Sequence, residues 1–343
     1  MKKISGLVLS LLITAGLLIS CGQQGVSNTG SNAAPGAGTS SATPAAATPE
    51  VSVQATEPAQ ETEPPEAAFP RTYVDIAGRE VTIEKEPQKI AVTYLPYWEY
   101  LLSLGVSPVA ASNAEHYSST WDPFLDKDYG ADKVIDIGAQ EVNFEMLLEI
   151  APDLIIIPTP DGLEEFEKIA PTIVMDGKFG LDWRLGLREL AKVVGKEEAA
   201  EEKITETEEK LAEYKVKLDE KYQNETVSIV CLMGENRYYC AKRPVFYDKE
   251  TGLGLNAPEG YPDVNNYEQV TLEAIAGMNP DYIFLVSFDG SEALVESLKS
   301  NTVWASLNAV KKNQVYLLDG SAHSTSSMST EYTADKIVEY LIQ

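Results

Sequence analysis

Two glutamates, Glu145 and Glu273, occupy the same place in two copies of one pattern. At a constant offset of 128 residues Val142 meets Val270, Asn143 meets Thr271, Glu145 meets Glu273, Pro152 meets Pro280 and Asp153 meets Asp281. Each copy reads as a capping residue, a carboxylate two positions later, a two-turn helix, Pro-Asp and a buried strand. A carboxylate in a first helical turn complements the helix dipole by a few tenths of a kcal/mol, which is one reason for it to be there. A matched pair of surface carboxylates also suits a partner with two-fold symmetry, and the residues alone leave both readings open. Other reactive side chains are sparse. The chain has two histidines, His116 and His323, and three cysteines. It has no Gly-rich phosphate loop, no GxSxG, no HExxH and no Cys/His pair at metal or catalytic spacing, which argues against an enzyme. Cys231 and Cys240 flank LMGENRYY. A hairpin turn at Glu235-Asn236 would set them opposite each other and make a disulfide conceivable; two buried thiols are the alternative.

The elements that carry these residues follow from periodicity. Lys196 to Tyr222 is a charged run without Gly or Pro, built from strong helix formers. Ala200, Ile204, Thr207, Leu211, Tyr214, Leu218 and Tyr222 form one stripe of 3.6-residue period. At about 1.5 Å per residue this helix is roughly 40 Å long, enough to act as a strut between two lobes. On both sides the pattern is α/β. Before it come a hairpin over Tyr73 to Ile83, a strand at Lys89 to Thr93, a break at Tyr94 to Tyr97, a helix over Trp98 to Leu104 and a strand at Val109 to Ala111. After it come strands at Val227 to Leu232 and Arg237 to Cys240, the second copy of the repeat, a last strand at Gln314 to Leu318 and a closing helix over Thr333 to Ile342. Ligands of parallel α/β sheets sit at the carboxyl ends of the strands, which puts Tyr94 and Tyr97 in candidate positions.

The N-terminus is of a different kind. Lys2-Lys3 precede an apolar run from Ile4 to Ile19, too short for a span and typical of a secretory signal peptide over residues 1–20. It ends Leu18-Ile19-Ser20-Cys21-Gly22, which resembles a bacterial lipoprotein cleavage site. The Cys21 thiol would then be acylated and hold the protein to the membrane. After the lipidated Cys21, the rest of the 21–69 segment is mostly Ala, Pro, Thr, Ser, Gly and Glu with almost no large apolar side chain, a composition that cannot bury enough surface to order itself, and reads as a disordered tether. The net charge is −26, most of it in the folded part, which opposes binding to nucleic acid and to an anionic lipid surface. Membrane association would run through the lipid alone.

The lipoprotein cysteine, the tether, the single strut, the units NFEMLLEIAPDLIII and TLEAIAGMNPDYIFL, and the ending VWASLNAVKKNQVYLLD together resemble a bacterial ABC-transporter substrate-binding lipoprotein. The class is the one in which a single helix joins two lobes, the periplasmic-binding-protein class III that captures ferric siderophores, haem and cobalamin. The resemblance implies two Rossmann-like lobes with parallel-rich sheets, residues 71–195 and 223–343, joined by the helix at 196–222. It implies that Glu145 and Glu273 dock on the two subunits of an ABC permease dimer. It also implies a monomer without catalytic activity or cofactor, with an iron chelate held between the lobes. Strand-end loops then nominate Tyr94, Tyr97, His116, Tyr117, Trp183 and Arg184 on one lobe. On the other they nominate Arg237, Tyr239, Arg243, Phe246, Tyr247 and His323, aromatic surface with planar guanidinium donors. The acidity of the domain favours a weakly charged complex such as a ferric hydroxamate over a catecholate; haem and cobalamin are alternatives. A zinc or manganese receptor would need two or three histidines with carboxylates; this chain has one histidine for each lobe, and the two with acidic partners keep direct metal capture as a further alternative.

Overall fold

The computed structural model describes residues 69–342 apart from 127–128, 178–181, 235–236, 265 and 289–291. The signal peptide, Cys21, nearly all of the tether and the turn at Glu235-Asn236 lie outside the described residues. Sequence runs with little polar interruption become parallel strands buried on both faces, and alternating ones become edges. In chain order the first half contains β1 (Arg71–Val74), β2 (Glu80–Ile83), β3 (Ile90–Val92), α1 (Leu95–Ser103), β4 (Ala110–Ala111), α2 (Ala114–Thr120), β5 (Ile135–Asp136), α3 (Phe144–Ile150), β6 (Leu154–Ile157), α4 (Leu163–Glu167), β7 (Thr172–Val174) and α5 (Trp183–Val194). The strut is α6 (Glu197–Tyr222). Then come β8 (Val227–Leu232), β9 (Tyr238–Cys240), α7 (Pro244–Tyr247), β10 (Glu268–Val270), α8 (Leu272–Met278), β11 (Tyr282–Ser287), α9 (Glu292–Leu298), α10 (Thr302–Ser306), α11 (Asn308–Lys311), β12 (Val315–Leu318) and α12 (Ser327–Ile342).

The strands form a β1–β2 hairpin and two five-stranded sheets. One sheet has the order β5-β4-β3-β6-β7 and is parallel throughout. The other has the order β10-β9-β8-β11-β12, with β8, β11 and β12 parallel and β9 and β10 antiparallel at one edge. These are the two α/β lobes expected from the repeat. The repeat itself has a local cause. Asn143 caps α3 by accepting the Met146 N–H, and Thr271 caps α8 by accepting the Ala274 N–H. Both helices end on a left-handed residue, Ala151 (φ 48°) and Asn279 (φ 43°), so the chain turns sharply into Pro-Asp.

The strut buries the stripe seen in the sequence: Ala200, Ile204, Thr207, Leu211 and Leu218 face inward. It is not the only long element spanning the middle of the protein. α12 lies along it, with Lys203 on Glu331 (2.7 Å) and the Tyr214 hydroxyl on Asp335 (2.7 Å). The N-terminal part of α12 packs on α1, where the Ser327 and Ser103 hydroxyls meet at 2.7 Å. The sequence reading began this helix at Thr333; it begins at Ser327, inside a Ser-rich stretch that is buried rather than exposed.

The conceivable disulfide is corrected. Cys231 and Cys240 are free, buried thiols. β8 and β9 pair with Cys231 opposite Tyr239, one residue away from the register that would oppose the two cysteines. Successive side chains of a strand point to opposite faces, so this single step puts the two thiols on different sides of the sheet.

Candidate functional site

A cleft of about 660 Å³ opens between the carboxyl ends of the parallel strands of the two sheets. On one side its wall is made where the chain leaves β3 (Thr93 to Pro96), β4 (Ser112, Asn113), β5 (Ala139) and β7 (Gly177). On the other side it is made where the chain leaves β11 (Phe288) and β12 (His323 to Thr325). A parallel sheet gathers its strand ends at one edge, which is why residues far apart in sequence meet there.

Aromatic rings from both lobes line this surface. After β4 the chain turns through Asn113, at φ 59°, straight into α2, and that helix presents His116 and Tyr117. Tyr117 packs edge-on against Trp121 at 4.7 Å, and His116 lies 5.2 Å from Tyr117. Tyr94 joins them from the start of α1. Across the cleft His323 stacks on Tyr267 at 4.3 Å and meets the edge of Phe288 at 5.4 Å. The two walls touch at Gly320, where a Cβ would lie 2.7 Å from Trp121 and 2.9 Å from Phe288. Only glycine lets the backbone pass between those rings.

Formal charge is scarce. Among the described lining residues Arg243 is the one arginine, and no lysine, aspartate or glutamate lines the cleft. The guanidinium of Arg243 lies over the Phe246 ring at 4.8 Å and donates to the Ala322 carbonyl at 3.1 Å. Burial, and then the nearby Arg243, push His323 down to about 4, so it is neutral at physiological pH. Its Nδ1 lies 3.8 Å from the Cys231 sulfur, and burial pushes that thiol up to about 12. The described lining residues therefore offer aromatic faces, neutral donors and one cation. That set suits a bulky ligand with little net charge.

Of the twelve nominated residues, Tyr94, His116, Tyr117, Arg243 and His323 line the cleft. The others do not. Tyr97 is core: Pro96 does not break the chain but sits in the first turn of α1, which starts at Leu95 and turns Tyr97 inward, its hydroxyl donating to the Met175 carbonyl at 2.7 Å. Trp183 is buried at the start of α5 and carries the Arg184 guanidinium over its ring at 4.6 Å. Arg184 is taken up by Glu208 on the strut. Phe246 and Tyr247 lie in α7, a helical turn where a loop was expected, and fold under β8; the Tyr247 hydroxyl accepts from Ile229 N–H and donates to the Val227 carbonyl, both at 3.2 Å. Tyr239 reaches Gln269 at 3.3 Å on the antiparallel edge, and Arg237 is exposed on the β8–β9 connection; neither lines the cleft.

Sequence reasoning missed Trp121, Tyr267, Phe288, Ser324 and Thr325. Phe288 follows a parallel strand directly, so the rule that found Tyr94 applied to it as well. Tyr267 precedes an antiparallel edge strand and carried no such signal. Glu145 and Glu273 are both exposed, in the first turns of α3 and α8.

Comparison with known proteins gives the fold its context. A family model described as periplasmic binding protein matches residues 90–322. The chain is 31% identical over 184 residues to the iron-uptake system-binding protein of Bacillus subtilis, covering 52% of this chain and 58% of that relative. It is 28% identical over 275 residues to the iron(3+)-hydroxamate-binding protein of the same organism, covering 76% and 83%. Its fold is similar to that of the triscatecholate siderophore binding protein of Bacillus subtilis complexed with ferri-bacillibactin. The TM-score is 0.65 at 26% identity, over 80% of this chain and 98% of the other.

Proposed function

The chain belongs to the periplasmic binding protein family, and we propose that it is a membrane-anchored receptor that holds a ferric siderophore in its cleft. The complex it suits best is of the hydroxamate type. The observation that carries this reading is the cleft wall: large aromatic faces from both lobes, with Arg243 as the formal charge among the described lining residues. A hydroxamate complex of ferric iron is bulky and carries little net charge, whereas a tris-catecholate is strongly anionic and would call for several cations. The similarity to the iron(3+)-hydroxamate-binding protein supports the same choice.

Delivery follows from the repeat. Glu145 and Glu273 are equivalent, exposed carboxylates on the two lobes, and each meets one subunit of an ABC permease dimer. Cys21 at the end of the apolar leader carries the lipid that keeps the receptor at the membrane, with residues 21–69 as the tether.

Fluorescence titration tests the ligand, because Trp121 sits on the cleft wall. Ferric desferrioxamine should bind more tightly than ferric bacillibactin, ferric citrate, haem, cobalamin or zinc. Tight binding of zinc alone would overturn the reading. Glu145→Arg combined with Glu273→Arg should abolish uptake in cells and leave affinity in solution unchanged. A loss of affinity would place these carboxylates at the cleft instead.

A further inference from the structure

α1 carries a carboxyl group that the cleft surface does not display. Glu99 is fully buried on the helix whose first turn lines the cleft. It accepts a hydrogen bond from the hydroxyl of Ser324, a lining residue from the segment after β12. Its other oxygen, Oε1, is buried without a hydrogen-bond partner. Glu99 therefore ties α1 of one lobe to the strand-end segment of the other, directly behind the cleft wall. Two further bonds follow the same seam, from the Tyr100 hydroxyl to the Thr325 carbonyl (3.3 Å) and between Ser103 and Ser327 (2.7 Å).

The charges around Glu99 are few. Arg243, which holds the same 322–324 segment through the Ala322 carbonyl, favours its ionised form, and Asp319 at the end of β12 disfavours it. Tyr94 just before α1, Tyr100 of α1 and Tyr117 of α2 also feel its charge. A carboxylate without water needs a close cation or several donors to stay ionised. Here burial outweighs the Ser324 bond and the pull of Arg243, and the carboxyl is pushed up to about 8.

We propose that Glu99 is a specificity-determining residue of the cleft, a buried proton switch that sets how much of the Arg243 charge the ligand meets. With a proton on Glu99, Arg243 is uncompensated and the affinity for a ligand whose oxygens carry negative charge rises relative to that for a neutral complex. Without it, the carboxylate offsets Arg243 and the preference moves toward an uncharged complex. Linkage makes the effect reciprocal: an anion bound beside Arg243 holds the proton on Glu99, so anion binding takes up protons. The charge-selection part rests on the cleft being the ligand site; the protonation of Glu99 does not.

Two arms test it on the full chain. The first needs no ligand. A carboxyl whose value is raised on folding makes the folded state bind more protons than the unfolded state, so stability falls as pH rises from the ordinary glutamate value of about 4.3 to about 8. The Tm of Glu99→Gln, which has no proton to lose, should gain on the wild type across that range and run parallel to it above. Carboxyl ¹³C titration of the wild type provides the same readout if the variant does not fold. A Tm gap independent of pH, or no buried carboxyl titrating near pH 8, overturns the switch. The second arm compares ferric citrate, an anion, with ferric ferrichrome, which is neutral. In the wild type the affinity ratio of anion to neutral complex should fall about tenfold, one pH-unit equivalent of coupling, between acidic and alkaline pH. In Glu99→Gln it should stay constant. A constant ratio in the wild type overturns charge selection. Failure of both complexes to bind, with the Tm gap intact, overturns the ferric-chelate reading and not the proton on Glu99.

Discussion

Asp281 accepts both the backbone N–H and the hydroxyl of Thr226, at 3.0 and 2.9 Å, and so fastens the start of β8 to the Pro-Asp corner before β11. Asp153 does the same in the other lobe, accepting the N–H groups of Gln88 and Lys89 just before β3, both at 2.9 Å. The aspartate of each repeat thus joins two neighbouring parallel strands at their N-terminal ends, opposite to the cleft. Asp281→Ala and Asp153→Ala should each cost about 1.5–3 kcal/mol, the range for hydrogen bonds to a charged group, and leave ligand affinity intact. Chemical denaturation checks both.

The same aspartate gives a pH signature. Burial opposes ionisation of Asp281, but the bonds from Thr226 and the proximity of Lys312 win and hold its carboxyl below the usual range. A lowered carboxyl contributes stability above the unfolded value, about 3.9 for aspartate, and loses it as pH falls through the folded value. The Asp281→Ala variant should therefore lose less stability than the wild type on acidification below about pH 4, measured by Tm against pH.

The strut and α12 should move as one. Leu211 on α6 is buried, so Leu211→Ala should cost about 2–5 kcal/mol. Lys210 meets Asp335 of α12 at 2.7 Å but is partly exposed, so Lys210→Ala should cost no more than about 1 kcal/mol. With two helices side by side, ligand binding should change the radius of gyration of the protein only slightly. A large contraction in small-angle scattering would contradict the pairing.

Tyr247 and Arg243 separate core from cleft. Tyr247→Phe removes a buried hydroxyl with two backbone partners and should cost about 1–3 kcal/mol of stability without weakening ligand binding. Arg243→Met should weaken ligand binding, because it removes the cation among the described lining residues. Titration and thermal unfolding of both variants decide this.

The thiols of Cys231 and Cys240 should be inert in the folded protein. Burial pushes both up to about 12, so neither is a thiolate at neutral pH. A thiol reagent should reach them only after denaturation, and reduction should leave the Tm unchanged. Stabilisation lost on reduction would mean a bridge.

The fold class and the repeat are written locally in the sequence. Unbroken apolar runs, the capping residues Asn143 and Thr271, and the periodic stripe of the strut are local signals, and local physics reads them out directly. The sequence also nominated Tyr94, His116, Tyr117, Arg243 and His323, since strand-end position is visible once strands are found. Tertiary structure alone decided the rest. Tyr97 and Tyr247 are aromatics like Tyr94, and only the phase of a helical turn assigns them to the core. One residue of register between β8 and β9 separates Cys231 from Cys240. Tyr267 reaches the cleft because an antiparallel edge folds back beside β8. Glu99, inside an apolar helix, gave no signal at all: its meaning depends on Ser324, 225 residues away, and on a seam that exists only when the two lobes close on each other.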